Sequence, residues 1–217
     1  SVYPAESAEL RQPLIVESLA ARNDGESPGH RRSGFGVTRK IRVMSSNSQL
    51  NVMADRAVIP PWGAFGASPG SVNSYTVFRD GELLQTSTIP GKVKSFPLNL
   101  GDVLQIQVTS GGGVGDPLTR DVAAVLQDVR DMYVSEERAR SSYGVVVEND
   151  QVNLVKTNRL RRELQSQRRY FNITESTKDC FDQRGCRICK LTPTIAEMLG
   201  VSDGDMVEYV GRNPAPL

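Results

Sequence analysis

The sequence has few residues of the types that build catalytic metal centres or disulfide scaffolds. It contains one histidine, His30, and three cysteines among 217 residues. A histidine-rich metal centre is therefore excluded, and three cysteines are too few for a disulfide scaffold in a chain of this length. No Ser-His-Asp arrangement can be inferred, because His30 lies in a polar loop without a diagnostic neighbour. The cysteine usage is typical of a reducing compartment, so we expect a cytoplasmic protein.

A long apolar run and a surplus of charge are also missing. No stretch approaches the roughly 20 apolar residues of a membrane-spanning helix, and Glu6, Glu9 and Arg11 interrupt the region of a signal peptide. Lys and Arg number 26 against 25 Asp and Glu, a balance that favours neither nucleic acid nor an anionic membrane as a partner. We expect neither. Ser1, where Met would stand, indicates a start that is processed, trimmed or internal to a longer gene product.

What remains is typical of a globular chain. The hydrophobic fraction is 38% and the mean hydropathy is −0.34, and 217 residues suffice for one domain or two small ones. The patterns predict a main domain over 1–171, β-rich over 1–110 and helical over 118–171. A polar stretch then begins a small appended unit at 172–217, so the expected class is α+β with a helix-plus-strand tail.

Strand patterns occupy the first half. Alternation predicts strands around 37–43, 50–54 and 103–108, and a short apolar patch at 14–16 predicts another. Asp80-Gly81, the favoured pair for a tight turn, predicts a hairpin.

Helical spacing follows, with a predicted apolar stripe over Val122, Val125, Leu126, Val129 and Met132. Ser135 and Gly144 are the expected cap and end of a second helix. A hairpin is predicted about Asn149-Asp150. Thr157 is the predicted cap of a third helix, whose five arginines favour a solvated face. In the tail, Pro193 predicts the start of a helix over 194–200, followed by a strand at 206–210.

The stretch TSGGGVGDPLTRD, residues 109–121, resembles a phosphate-binding loop only superficially. A P-loop ends in Gly-Lys-Ser/Thr, which is missing here, and Gly115 comes one residue too early to be the third glycine of a dinucleotide fingerprint. Asp116 would repel a phosphate, and Pro117 interrupts the dinucleotide pattern. We interpret the glycines as serving positive φ or close backbone approach where sheet passes to helix.

Three further groups leave alternatives open. Cys186 and Cys189 have the Cys-x2-Cys spacing of zinc sites, and Cys180 is a third thiolate. However, a fourth ligand is not evident, and Cys189 also fits a small buried hydrophobe. His30, Arg31 and Arg32 fit either solvated loop residues or a contact with an anion or an interface.

Trp62 follows Pro60-Pro61 and precedes several glycines, so it fits either a side chain that plugs the core or a rigid loop that makes contacts.

Several stretches together resemble the C-terminal region of the hydantoinase B/oxoprolinase family. In that family a Gly-Gly-Gly-x-Gly-Asp-Pro precedes an Arg-Asp, a Val-x-x-Asp-Val and a Tyr-Gly-Val. The order matches here at Gly111, Gly112, Gly113, Gly115, Asp116, Pro117, Arg120, Asp128, Tyr143 and Gly144. Upstream, a glycine-rich pattern matches at Gly29, Arg32, Gly34 and Gly36, with Ser33 in place of a usual glycine. An Asp-Arg-x3-Pro-Pro-x-Gly pattern matches at Asp55, Arg56, Pro60, Pro61 and Gly63. The motif residues from both regions are interpreted as structural or interface residues.

The resemblance covers residues 4–165 and implies a role in an enzyme complex. Family members act with a hydantoinase A-type subunit that binds ATP, and together they open hydantoins, 5-oxoproline or lactams, while relatives carboxylate acetone or acetophenone. The family's metal ligands lie in its N-terminal part, which this chain does not match. We therefore expect ATP and a divalent metal to be held mainly outside this chain. The expected partners are the A-type subunit and the N-terminal portion of the B-type subunit, and no catalytic residue is carried over.

Three functions follow from this. The first is part of an ATP-dependent cyclic amide hydrolase. The second is the same part of an acetone- or acetophenone-type carboxylase. The third is a non-catalytic assembly module with a structural zinc in the tail.

Overall fold

The computed structural model describes residues 4–168 and 188–205. They form an α+β fold, as predicted from the sequence. The helices are α1 Ala5–Arg11, α2 Val122–Arg130, α3 Glu136–Tyr143, α4 Leu154–Gln167 and α5 Pro193–Leu199. The strands are β1 Leu14–Ala21, β2 Val37–Val43, β3 Ser48–Met53, β4 Ser74–Arg79, β5 Glu82–Leu84, β6 Lys92–Leu98, β7 Val103–Gln107, β8 Val147–Glu148 and β9 Gln151–Val152.

An antiparallel sheet of five strands, in the order β1-β2-β7-β4-β5, forms the frame of the first half. The predicted hairpin is confirmed, because β4 and β5 join through Asp80 and Gly81, both with positive φ. The apolar patch at 14–16 is the start of the longer strand β1. Thr38 of β2, Gln107 of β7 and Ser74 of β4 are aligned across three neighbouring strands. The loops attached to these residues therefore leave the sheet at the same end.

The first core lies between this sheet and the separate pair β3-β6. The buried side chains of the large sheet pack with those of the small pair, and the cluster is Ile41, Val43, Leu50, Val77, Val93, Leu98 and Leu104. Strand β6 was not predicted from the sequence. Its alternation is weak, since Pro97 and three exposed polar residues interrupt the apolar positions.

The second core joins the helices to the strand β8. It consists of Val125, Val134, Ala139, Tyr143, Val145 and Val147. The predicted cap and end of α3 are confirmed: the Ser135 hydroxyl accepts from Arg138 N, and Gly144 ends the helix at a φ of 62°. The predicted hairpin about Asn149-Asp150 is confirmed as well.

Two helical predictions are wrong. Met132 does not belong to the apolar stripe of α2, because the helix ends at Arg130 and Met132 has a φ of 58° and a 79% exposed side chain. Thr157 is not a cap. It lies inside α4, is fully buried, and its hydroxyl accepts from Val146 N at 3.0 Å. Asn153 caps α4 instead, because its side-chain oxygen accepts a hydrogen bond from Lys156 N.

The described residues divide into two compact units, one within 4–165 and one within 166–205. In the second unit, α5 begins at Pro193 and ends at Gly200 with a φ of 64°, as the sequence predicts. The predicted boundary at 171/172, the strand at 206–210, and Cys180 and Cys186 lie outside the described residues. In the described ranges, no helix has both the length and the apolar character that crossing a membrane requires.

Candidate functional site

Three loops meet at the end of the sheet where β2 begins and β7 ends. They are residues 22–36, 54–73 and 109–120, and we call them together the loop junction. Each connects to a strand at that end: the first lies between β1 and β2, the second leads to β4, and the third leaves β7. Because the strands are antiparallel neighbours in register, the sheet itself brings these loops together.

Backbone hydrogen bonds join the three loops into one unit. Arg31 and Val114 exchange hydrogen bonds of 2.9 and 2.8 Å, in an antiparallel bridge. On the other side of Val114, Ala64 N donates to Gly113 O at 2.9 Å and Ala64 O accepts from Gly115 N at 2.8 Å. The loop junction is therefore a small, irregular sheet whose central segment is the glycine run.

The glycines of this run permit backbones to approach closely. A Cβ on Gly112 would lie 2.1 Å from Trp62 O, and one on Gly113 would lie 2.5 Å from Ser27 O. Gly115 has a φ of 78°. Gly36 is equally constrained, since its Cβ would lie 1.8 Å from Val108 O, whereas Gly111 and Gly34 face open space. Close packing of three backbones thus requires glycine at specific positions of the run and not at every one.

An ion-pair network ties the first loop to the helices. Arg32 donates to both carboxylate oxygens of Asp128, at 2.9 and 2.8 Å, and Arg120 donates to the same carboxylate at 3.0 Å. The guanidinium of Arg32 also lies 4.0 Å from the centre of the Phe35 ring, which stacks on Tyr133. The hydrogen bonds to Asp128 raise the pKa of Arg32 above its usual value. The arginine is thus held as a fixed cation between a carboxylate and an aromatic ring.

A second buried acid lies six residues before Arg32. Glu26 is fully buried, and its Oε1 accepts from Tyr143 Oη at 3.2 Å and from Arg138 Nε at 3.3 Å. Burial first, and then the charge of Glu26, raise the pKa of the Tyr143 phenol, so it stays protonated and donates. Among the described residues, Oε2 of Glu26 meets no hydrogen-bond partner. Loop 22–36 is thereby anchored to α3 through buried polar groups.

The remaining motif residues hold the ends of the loops. Asp116 accepts from Leu118 N at 2.9 Å and caps a 3-10 turn that begins at Pro117. Gly144 leaves room for Arg161, which donates to the carbonyls of Tyr143 and Arg120 at 3.1 and 2.8 Å. One arginine of the helix predicted to have a solvated face is therefore partly buried, and its pKa is lowered by that burial.

The second loop has its own set of contacts. Asp55 O accepts from the Asn73 side chain at 2.7 Å, and the carboxylate of Asp55 contacts Lys92 at 3.3 Å. Arg56 lies over the Trp62 ring at 5.0 Å, and Pro61 O accepts from Gly70 N. Trp62 is 67% exposed. The interpretation of Trp62 as a core-plugging side chain is therefore wrong.

The structure separates the His30-Arg31-Arg32 cluster. Arg32 points inward to Asp128, whereas His30 and Arg31 are exposed. The His30 ring contacts Thr119, with Nδ1 at 3.1 Å from both the carbonyl oxygen and the hydroxyl.

Sequence reasoning missed Glu26 and Arg138. A charged residue inside the glycine-rich stretch 24–36 was the one available signal for Glu26.

In the part of the chain that it describes, the structure shows no cluster of side chains that could bind a metal ion. No three His, Cys, Asp or Glu side chains come together there. Of the three predicted thiolates only Cys189 is described, and it is half-buried.

Comparison with known proteins places this geometry in a family. The family model for hydantoinase B/oxoprolinase matches residues 1–117. The B-type subunit of a putative D-/L-hydantoinase from Pseudomonas sp. is 32% identical over 160 residues, which cover 73% of this chain and 27% of that protein.

Two solved structures share the fold. One is the crystal structure of the ATP-dependent caprolactamase from Pseudomonas jessenii, with a TM-score of 0.63 and 25% sequence identity. The matched region covers 73% of this chain and 28% of the caprolactamase chain. Nucleotide-free acetone carboxylase has a TM-score of 0.67 at 20% identity, covering 76% and 26%. This chain thus spans little more than a quarter of the length of these relatives. By the family match over more than half of its residues, the chain belongs to the hydantoinase B/oxoprolinase family.

Proposed function

We propose that this chain is the C-terminal portion of a hydantoinase B-type subunit in an ATP-dependent cyclic amide hydrolase. The observation that carries the proposal is its 32% identity to the B-type subunit of a putative hydantoinase, of which it spans 27%. In this role the chain completes the fold of the subunit and contacts the rest of the complex. It is inactive alone.

The charges of the loop junction support a structural role. Arg32 and Arg120 both bind Asp128, and Arg138 binds Glu26, so each of these arginines is engaged by a carboxylate within the fold. Side chains that are paired in this way hold the junction loops in position, so that the loops can form part of the wall of a site. ATP and the divalent metal belong, in this proposal, mainly to the A-type subunit and to the N-terminal portion of the B-type subunit.

Amide hydrolysis is preferred to ketone carboxylation because of the degree of likeness. The relatives at 32% and 25% identity are named as a putative hydantoinase and a caprolactamase. The likeness to acetone carboxylase, at 20% identity, concerns the fold alone.

The test is a reconstitution of the whole complex. The complex purified with this chain is incubated with ATP and either hydantoin, 5-oxoproline and caprolactam, or acetone and bicarbonate, and phosphate release is measured. We expect phosphate release to depend on a cyclic amide, and expect none from this chain alone. Phosphate release that depends on ketone and bicarbonate would favour the carboxylase, and hydrolysis by the isolated chain would contradict the proposed role.

The alternative of an assembly module with a structural zinc depends on Cys180, Cys186 and Cys189. Their spacing supports it. Metal analysis of the purified chain, with Cys186→Ser as the control, decides it: one zinc per chain that the substitution removes would support the site, and zinc-free protein would exclude it.

A further inference from the structure

A short loop at the junction displays large apolar side chains to solvent. Val58, Ile59, Trp62 and Phe65 are between 51% and 67% exposed, and they fall within eight residues. Val114 pairs with Ala64 of this loop in a parallel β-bridge and is 45% exposed. Single exposed apolar residues are common, whereas several large ones within one short loop have the composition of an interaction site. We call these five side chains the Trp62 surface.

The loop is held rigid by contacts on both sides. Pro60 and Pro61 fix their own φ angles, and Gly70 N donates to Pro61 O at 2.9 Å. Gly112 lies directly against Trp62 O. The Arg56 guanidinium covers the Trp62 ring at 5.0 Å and donates to Pro60 O at 3.3 Å. The backbone of Trp62 is therefore held in place and Arg56 covers one face of the indole, while the residue as a whole remains 67% exposed.

A preorganised aromatic residue next to an arginine has the properties of an interface anchor. Trp and Arg are enriched among the few residues that carry most of the binding energy of protein interfaces, and a loop that is already ordered loses little conformational entropy on binding. At the edge of the surface, the side chains of Arg31, Val114 and Ala64 share one face because their backbones are paired, and Arg31 is exposed. The complementary surface is thus apolar with an acidic margin.

We propose that the Trp62 surface docks the remainder of the hydantoinase B-type subunit, the larger part that this chain does not span. This rests on the proposed function. The chain covers 27–28% of the matched relatives, so most of the family fold lies outside it. Because Arg32, Arg120 and Glu26 of the junction are engaged by charged groups within the fold, the exposed apolar loop, with Arg31 at its edge, is the part that offers a partner new burial.

Trp62 is the one tryptophan of the chain and reports on its own burial. With 5-fluorotryptophan in place of tryptophan, the chain gives one ¹⁹F resonance, whose relaxation by a soluble gadolinium chelate measures exposure. The probe partner is the unlabelled remainder of the complex that purifies with this chain. We expect binding to shift the resonance and to remove most of the relaxation by the chelate.

Matched substitutions test the surface itself. Phe65→Ser is expected to weaken the affinity at least about tenfold, which corresponds to 1.4 kcal/mol. Leu83→Ser is the control. Leu83 is 64% exposed on β5, beyond the turn at the opposite end of the sheet, and its substitution leaves the affinity unchanged.

The outcomes separate this inference from the proposed function. Absence of binding by the unsubstituted chain counts against the proposed function. If the chain binds while Trp62 stays exposed, and Phe65→Ser leaves the affinity unchanged, the role of the Trp62 surface is overturned while the proposed function stands. A resonance already shielded in the free chain, or shielded as the chain concentration rises, overturns the inference because other residues of this chain or a second copy then occupy the surface.

Discussion

Arg32 and Asp128, 96 residues apart in the sequence, form two hydrogen bonds of 2.9 and 2.8 Å that join the first junction loop to helix α2. The Asp128 side chain is 9% exposed and also accepts from Arg120. The carboxylate therefore holds two cations that would otherwise repel each other. This three-residue contact is one of the tertiary links that hold the loop, beside the Glu26 contacts with α3 and the Arg31–Val114 bridge.

Asp128→Asn is expected to lower the free energy of unfolding by about 2–4 kcal/mol, because it leaves two partly buried guanidinium groups without their counter-charge. Urea unfolding followed by circular dichroism measures the change. Glu163→Gln removes the exposed partner of Arg159 on α4 and should produce no measurable change. Equal effects of the two substitutions would contradict the structural role of Asp128.

Two adjacent glycines should respond in opposite ways. Gly112→Ala places a Cβ 2.1 Å from Trp62 O, so the two loops must separate and the chain should lose several kcal/mol, roughly 3 or more. Gly111→Ala meets nothing within 4 Å and is expected to be neutral or to stabilise by about 0.4–1 kcal/mol. Thermal unfolding of both variants checks this. A mild Gly112→Ala variant would contradict the close approach of the two backbones.

Thr157→Val is expected to destabilise the chain by about 1–3 kcal/mol, because the buried Val146 N–H loses its acceptor at nearly constant side-chain volume. Thr157→Ser keeps the hydroxyl and isolates the effect of the missing methyl group, so it should cost clearly less. Chemical denaturation of both variants gives the comparison. A Thr157→Val variant as stable as the unsubstituted chain would contradict the contribution of this hydrogen bond.

Acid should weaken the first core through Asp102. This 1% exposed carboxylate accepts from Arg79 at 2.9 and 2.8 Å and from Asn99 N at 2.8 Å. The hydrogen bonds from Arg79, and secondarily that from Asn99, hold its pKa below the usual value. A depressed folded-state pKa contributes stability that is complete above the unfolded pKa of about 3.9 and is lost as the pH falls below it.

Unfolding free energies of the unsubstituted chain and of Asp102→Asn, measured from pH 7 to pH 3, test this. Their difference should stay constant above about pH 5 and shrink below about pH 4. A difference that is independent of pH down to pH 3 would show that Asp102 contributes no linked protonation.

Local patterns predicted those elements whose signals lie within a few residues of one another. The Asp80-Gly81 hairpin, the Ser135 cap and the Gly144 end of α3 are confirmed, because each depends on backbone conformations that particular residues favour. Strand β6 was not predicted because its burial depends on packing with β3 and the large sheet, and not on an alternation within its own sequence. Thr157 was misplaced because a buried threonine that accepts from a distant N–H looks, in sequence, like a cap.

The sequence by itself determined the α+β class, the turn chemistry and, through the order of its glycine and charged motifs, the family. The tertiary structure alone decided what those motif residues touch. The glycine run serves close approach because loops 22–36 and 54–73 lie on either side of it, and Arg32 is separated from His30 and Arg31 because Asp128 attracts it inward. The exposure of Trp62 was likewise decided by the tertiary structure and not by the neighbouring residues in the sequence. A sequence specifies which backbone angles are accessible, whereas the partner of a charge or of an aromatic ring depends on segments that meet only when the sheet forms.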